Sequence, residues 1–159
     1  MLQCNQFKTG RCFSMELKEM NVKNLERYAV LFRDVFNGAP WYDQWTVDTA
    51  RQRLSQFMET GQFLGFYAEE KEEVLGLICG QREIYYDGPR FCIQEFCVDS
   101  RRQGNGCGKR LLEHLSDRLK EEGIHYLYLM TQRGERTQGY YFHRGFETDE
   151  DLILMHREG

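Results

Sequence analysis

The stretch FCIQEFCVDSRRQGNGCGKRLLEHL, residues 91–115, limits the fold more than any other part of the chain. An apolar run reads as a strand buried on both faces. It passes through a turn holding Gly104, Gly106 and Gly108, then enters a helix over residues 108–122. Leu111, Leu112, Leu115 and Leu119 repeat there at core-facing spacing. Gly123 stands where a helix stop wants a left-handed residue. A strand–glycine turn–helix unit of this kind belongs to mixed α/β architecture.

The first turn of a helix presents amides without partners and carries roughly half a positive charge. Glycines at that place let an anion come close to the main chain. Arg101, Arg102, Lys109 and Arg110 flank the turn. Together these features favour an anion cradle over a turn that holds nothing. Two common cradles fail on spacing. A P-loop needs Ser or Thr after its lysine, but Arg110 follows Lys109. A dinucleotide fingerprint is GxGxxG near the start of a βαβ unit, whereas GxGxG occurs here two-thirds along the chain.

Around this unit the pattern predicts a short strand near 14–18, then a helix over 22–36 with Asn21 at its start. A second helix over 47–59 is capped by Thr46. A hairpin of QFLGFYAEE and VLGLICGQRE follows, then a turn at 86–89. After Gly123 come a strand in IHYLYLMT, a short helix in ERTQGYYFHR and a terminal strand in LILMHR. At 159 residues the chain suits one domain, assigned to 15–159. Residues 1–14 are expected to be a disordered leader.

A net charge of −4 argues against a nucleic-acid binder and is compatible with a cationic partner. No apolar run approaches the ~20 residues of a membrane span. The six cysteines, Cys4, Cys12, Cys79, Cys92, Cys97 and Cys107, show neither CxxC pairs nor zinc spacing. Reduced thiols, a cytoplasmic location and no metal are expected.

The segment VDSRRQGNGCGKRLL resembles the acyl-CoA-binding motif of the GNAT superfamily of N-acetyltransferases, R/Q-x-x-G-x-G/A, through Gln103, Gly106 and Gly108. YYFHRGFE resembles the family's later Y-x-x-x-G-F segment through Tyr141, Gly145 and Phe146. Both motifs stand in the family's order, and the likeness covers nearly the whole chain. It implies a single-domain, mostly antiparallel sheet flanked by about four helices, with acetyl-CoA as co-substrate. The diphosphate would lie on the amides of Gln103, Gly104, Asn105, Gly106, Cys107 and Gly108, with Lys109 nearby. The pantetheine would run beside Cys97 and Val98, and an amide near Val98 would face the thioester oxygen.

An amine with pKa near 10.4 is only ~0.04% neutral at pH 7, a deficit of roughly 4.6 kcal/mol, so a proton acceptor is required. Glu95 interrupts the apolar strand and is the candidate base; fixing a loop or orienting substrate is an equal alternative. The resemblance implies that Tyr141 returns a proton to the thiolate. Trp41, Tyr42, Asp43 and Trp45 lie in the loop that borders the acceptor in such folds. They form either an aromatic wall with a cation-attracting carboxylate or an anchor on the core. Expected activity is acetyl transfer to a primary amine in a ternary complex. The acceptor is a small cationic molecule or, alternatively, a protein N-terminus or lysine. A non-catalytic acyl-CoA sensor is the rival from another class. A homodimer is compatible with all of these.

Overall fold

A computed structural model describes residues 15–159; the expected leader, with Cys4 and Cys12, lies outside them. The chain separates into a unit ending at Leu129 and a unit from Met130 onward. The first unit contains β1 (Glu16–Glu19), α1 (Leu25–Phe36), α2 (Val47–Met58), β2 (Phe63–Glu70), β3 (Glu73–Tyr85), β4 (Gly88–Val98), α3 (Cys107–Glu121) and β5 (Tyr126–Leu129). Its sheet has the order β1-β2-β3-β4-β5. Consecutive strands pair antiparallel except β4 and β5, which are parallel because α3 is the crossover between them.

Each face of the sheet is covered by helix. Tyr28, Ala29, Phe32 and Val35 of α1 and Ala50 and Leu54 of α2 are buried with Tyr67, Leu77, Cys79 and Cys97. The other face receives α3, whose Leu111 Cδ1 stands 3.1 Å from where a Cβ on Gly76 would be. Leu111, Leu115 and Leu119 are fully buried, each stabilising the fold by roughly 1.5–3 kcal/mol.

The ends of these helices follow the sequence closely. Thr46 caps α2 by accepting from the Thr49 amide, and the Thr49 hydroxyl accepts from the Thr46 amide in return. At the end of α3, Gly123 has φ 76°. The Ile124 amide bonds Leu119 O at 2.8 Å and the Gly123 amide bonds Lys120 O at 3.0 Å, which makes a Schellman stop. The helix expected from residue 22 instead opens with one 3-10 turn, Val22–Asn24, before α1. Asn21 caps that turn.

Three carboxylates are held by cations, two of them tying elements together. Glu69 on β2 bridges Lys18 of β1 and Arg27 of α1, the latter at 2.5 Å. Glu122 holds Arg82 of β3 at 2.6 Å and Arg118 of α3 at 3.0 Å. Asp99 holds Arg101 at 2.5 Å. The bonded cations, Lys18, Arg101 and Arg82 foremost, keep these carboxyls below their ordinary range. The folded state therefore favours the ionised forms. The resulting stability is complete above the ordinary carboxylate pKa and disappears as pH falls through the depressed values. Melting temperatures recorded against pH should hold steady near neutrality and drop below about pH 4.5. Glu69→Gln should flatten part of that drop; an acid limb identical to wild type would contradict the account.

The second unit contains α4 (Gln138–Phe142). Gly145, with φ 82°, follows it. The Phe146 amide bonds Tyr141 O at 3.1 Å and the Gly145 amide bonds Phe142 O at 3.2 Å. The Tyr141 and Phe146 rings meet at 5.5 Å. The Y-x-x-x-G-F spacing is thus a second Schellman stop, with Phe146 turned back onto Tyr141. The strand expected in LILMHR does not form. Among the described residues of this unit α4 is the one regular element, so the run has no ladder there to complete. Leu152, Ile153, Leu154 and Met155 are exposed.

Candidate active site

The site begins where β4 and β5 part. Their ladder runs from Arg90↔Tyr126 to Ile93↔Leu129 and stops. At that point β4 carries a bulge: Cys79 pairs with Glu95 and Gly80 with Ile93, which leaves Gln94 as the extra residue. Gly80 makes the bulge feasible, since a Cβ there would lie 1.9 Å from Cys92 O. Beyond the bulge, β4 keeps its β3 partner but has lost β5. The Asp99 amide donates to Leu75 O at 2.8 Å. By alternation along a strand, the Val98 amide faces the opposite side, which β5 has vacated.

The chain then turns into α3. The Asp99 side chain caps a 3-10 turn, Ser100–Arg102, by accepting from the Arg101 amide. Gly104 and Gly106 both take the left-handed region, with φ 84° and 80°. Gly106 is the first-turn cap of α3 and offers no side-chain bond. Among the described residues, the amides of Gln103, Gly104, Gly106, Cys107, Gly108 and Lys109 have no hydrogen-bond acceptor, while the Asn105 amide reaches Arg102 O at 3.4 Å. A Cβ on Gly104 or Gly106 would meet nothing within 4 Å. The first-turn amides thus stand at the positive end of a 15-residue helix, beside two glycines with open space on their Cβ sides, a site suited to an anion.

The basic residues around the turn are less available than the sequence suggests. Arg101 binds Asp99 and Glu73, and Arg102 lies 3.5 Å from both Glu70 and Glu73. Lys109 pairs with Glu113 at 3.7 Å, and Arg110 bonds Met15 O. Attraction of an anion rests mainly on the main chain. Gln103 also turns inward, donating to Val98 O at 3.3 Å. Cys97 and Cys107 bury their thiols, which burial pushes up, so each offers the site backbone alone.

Glu95 is buried on the α1/α2 face, with its Oε1 accepting from Arg53 Nε of α2 at 2.7 Å. Burial raises its pKa, Arg53 pulls it down, and Asp43 raises it again. Arg53 also lies 4.5 Å over the Phe57 ring. Sequence reasoning missed Arg53, because nothing distinguishes it from a solvent-facing helix residue.

In the loop between α1 and α2, the tryptophans serve the anchoring alternative. Trp41 packs on Phe36 at 4.9 Å and Trp45 on Phe32 at 5.1 Å. Asn37 latches the loop by exchanging two hydrogen bonds with the Trp45 backbone. Asp43 accepts from Trp45 Nε1 at 3.0 Å, and Tyr42 is exposed. Tyr141, in the second unit, is half-buried between Tyr140 and Phe146.

Among the described residues no group of three or more His, Cys, Asp or Glu could hold a metal ion, and no helix is long and apolar enough to cross a membrane. Cys79, Cys92, Cys97 and Cys107 are unbridged.

No curated protein sequence matches the chain. Among solved structures, aminoglycoside N-acetyltransferase AAC(6')-Iy in complex with CoA superimposes with TM-score 0.73 at 17% identity, covering 96% of this chain and 100% of that one. Aminoglycoside acetyltransferase meta-AAC0020, from an uncultured soil metagenomic sample and bound to sisomicin, gives 0.69 at 16%, covering 91% and 95%. A transcriptional regulator from Bacillus halodurans C-125 gives 0.71 at 19%, covering 90% and 99%. At such identities the likeness shows a shared fold. The sequence model of the acetyltransferase (GNAT) family matches residues 26–146, which include the bulged strand, the glycine turn and the Tyr141 segment. The chain belongs to the GNAT family of acetyltransferases.

Proposed function

We propose that the protein transfers the acetyl group of acetyl-CoA to a primary amine by direct attack within a ternary complex. The amides of Gln103, Gly104, Gly106, Cys107, Gly108 and Lys109, opened by two left-handed glycines, carry this reading. They suit a diphosphate. The vacated edge of β4 suits an extended pantetheine arm adding main-chain bonds like a further strand. The Val98 amide on that edge would stabilise the oxyanion of the tetrahedral intermediate, a donor typically worth about 10²–10³ in rate. AAC(6')-Iy has been solved with CoA and with a bisubstrate analogue, CoA-S-monomethyl-acetylneamine, which favours this placement.

The acceptor is a small cationic amine. Exposed Tyr42 and the Asp43 carboxylate lie in the α1–α2 loop, and an ammonium suits such a pair. Glu95 has two roles open to it, proton acceptor or orienting charge. The bond from Arg53 occupies one oxygen and favours the orienting role. Four buried, unbridged thiols suit the reducing cytoplasm.

Tyr141 is assigned the return of a proton to the departing thiolate. Tyr141→Phe should lower kcat by about 10²-fold and leave CoA affinity unchanged. Thiol release from acetyl-CoA with a panel of small amines, lysine peptides and N-terminal peptides tests this reading. Turnover confined to peptides would move the acceptor to protein amines. CoA binding with turnover on no amine would make the protein a sensor.

A further inference from the structure

Glu95 is a carboxylate set among thiols. Cys79 pairs with it across β3, and Cys97 stands two residues along β4. All three residues are buried. Among the described residues Arg53 is the one cation bonded to Glu95, with Nε 2.7 Å from Oε1.

Helical spacing brings Arg53 to that place. Ala50, Leu54 and Phe57 are the buried residues of α2. Arg53 comes three residues after Ala50 and four before Phe57, so it emerges beside their row. Its guanidinium carbon lies 4.5 Å from the Phe57 ring centroid, which holds the cation against its own helix. The guanidinium is therefore fixed from α2 on one side and bonded to β4 on the other.

A second carboxylate stands close by. Asp43, in the α1–α2 loop, is near enough for its charge to act on Glu95. Asp43 Oδ2 accepts from Trp45 Nε1, and Glu95 Oε1 accepts from Arg53. Each carboxylate keeps one oxygen that has no hydrogen bond among the described residues. Asp43 and Glu95, both assigned above to the acceptor, are thus neighbours drawn from two different elements.

We infer that Arg53 is the positioning residue of the acceptor site: it holds Glu95 in place as the anion that orients the amine. This rests on the N-acetyltransferase reading and on the orienting role given to Glu95. Arg53 acts through Glu95 and does not itself touch the substrate. An apolar pair of like volume would dock α2 on the sheet equally well, because a buried ion pair repays little beyond its own desolvation. Loss of one partner is different, since a buried charge left unopposed takes up a proton.

The balance of charge around Glu95 supports this role. Burial, first, pushes the carboxyl toward its neutral form; the charge and bond of Arg53 oppose it, and Asp43 adds to burial. The charged and titratable groups acting there are Arg53 from α2, Asp43 from the loop, Cys79 from β3 and Cys97 from β4. Burial raises both thiols far above their ordinary range, so they stay uncharged. Arg53 alone among these four favours the carboxylate.

The test is the pH dependence of KM and kcat for the full chain with an amine that it turns over. Wild type is compared with Arg53→Gln, Arg53→Lys, Glu95→Gln and the double variant Arg53→Gln/Glu95→Gln. Arg51→Gln is the control, because it removes the same charge from the same helix at a residue paired with Asp48 and Glu26 instead. At pH 7 Arg53→Gln should raise the amine KM about tenfold, the ionised fraction lost per pKa unit, with kcat within about twofold of wild type. Relative to wild type at each pH, the rise should fade as pH increases, because Glu95 then ionises without help. Arg53→Lys keeps the charge but loses the planar fork, so its rise should be about threefold with the same recovery. It decides the matter if Arg53→Gln does not fold. The double variant should match Glu95→Gln, whose rise does not recover with pH. CoA affinity by calorimetry, and KM for Arg51→Gln, should not change. A wild-type KM in folded Arg53→Gln and Arg53→Lys, a rise that is constant across pH, or a loss confined to kcat overturns the inference and leaves the acetyltransferase reading standing. Wild type inactive on every amine overturns both.

Discussion

Gly106→Val should weaken coenzyme A binding about 10²-fold, equivalent to losing two charge-assisted amide bonds at roughly 1.5 kcal/mol each. The cause is positional. Gly106 has φ 80°, a conformation that a β-branched residue resists. A Cβ there would project into space with no protein atom within 4 Å. The first carbon of the valine side chain therefore enters open space in the empty protein and would stand in the volume assigned to the diphosphate. Its cost to folding should be limited to local strain of about 1–3 kcal/mol, while the cost to binding is larger and specific. Calorimetry with coenzyme A, paired with a melting curve, separates the two effects. A folded variant that binds coenzyme A as wild type does would refute the cradle.

Gly80→Ala should be the most damaging single methyl group in the sheet. The new Cβ would fall 1.9 Å from Cys92 O and 2.8 Å from Cys92 C and from Phe91 Cε1. The nearest of these atoms belongs to main chain, so no side-chain rotation relieves the clash. β3 must move away from β4 at the bulge. A destabilisation of about 3 kcal/mol, the upper end for overpacking, is expected. That lowers the melting temperature by roughly 6–12 °C. Activity should fall further than stability, because the same bulge separates β4 from β5. Gly61→Ala is the control: nothing lies within 4 Å of its Cβ. Equal melting temperatures for the two variants would contradict the close approach.

Features that depend on local geometry were readable in the chain. The Thr46 cap, the Gly123 stop and the leucine face of α3 require only neighbours in sequence. The Y-x-x-x-G-F segment was recognised as a family mark, yet its glycine and phenylalanine have a local purpose. Leu119-x-x-x-Gly123-Ile124 shows the same helix stop at the end of α3. The specific part of the segment is the tyrosine, not the spacing.

Features that depend on what stands opposite were not readable. The polar pair Gln94–Glu95 marked an irregularity in an apolar strand, but only its β3 partner shows that Gln94 bulges and that Gly80 admits it. Arg101, Arg102, Lys109 and Arg110 flank the glycine turn in sequence, but their partners are not legible there: carboxylates come from β2, β3 and α3 and the loop before it, and backbone in the case of Arg110. Trp41 and Trp45 left a recognition wall and a core anchor both open, and only the fold shows their rings against Phe36 and Phe32 of α1. The LILM run has strand propensity but no partner within its own unit. Propensity alone does not make a strand, because a strand's bonds are made to another.

A crystal structure of the protein with coenzyme A tests the central claim most directly. The account predicts the diphosphate on the amides of residues 103–109, within hydrogen-bonding distance of those of Gly106 and Gly108, and the pantetheine along β4 opposite the Val98 amide. A diphosphate held elsewhere, by side chains away from the start of α3, would contradict it.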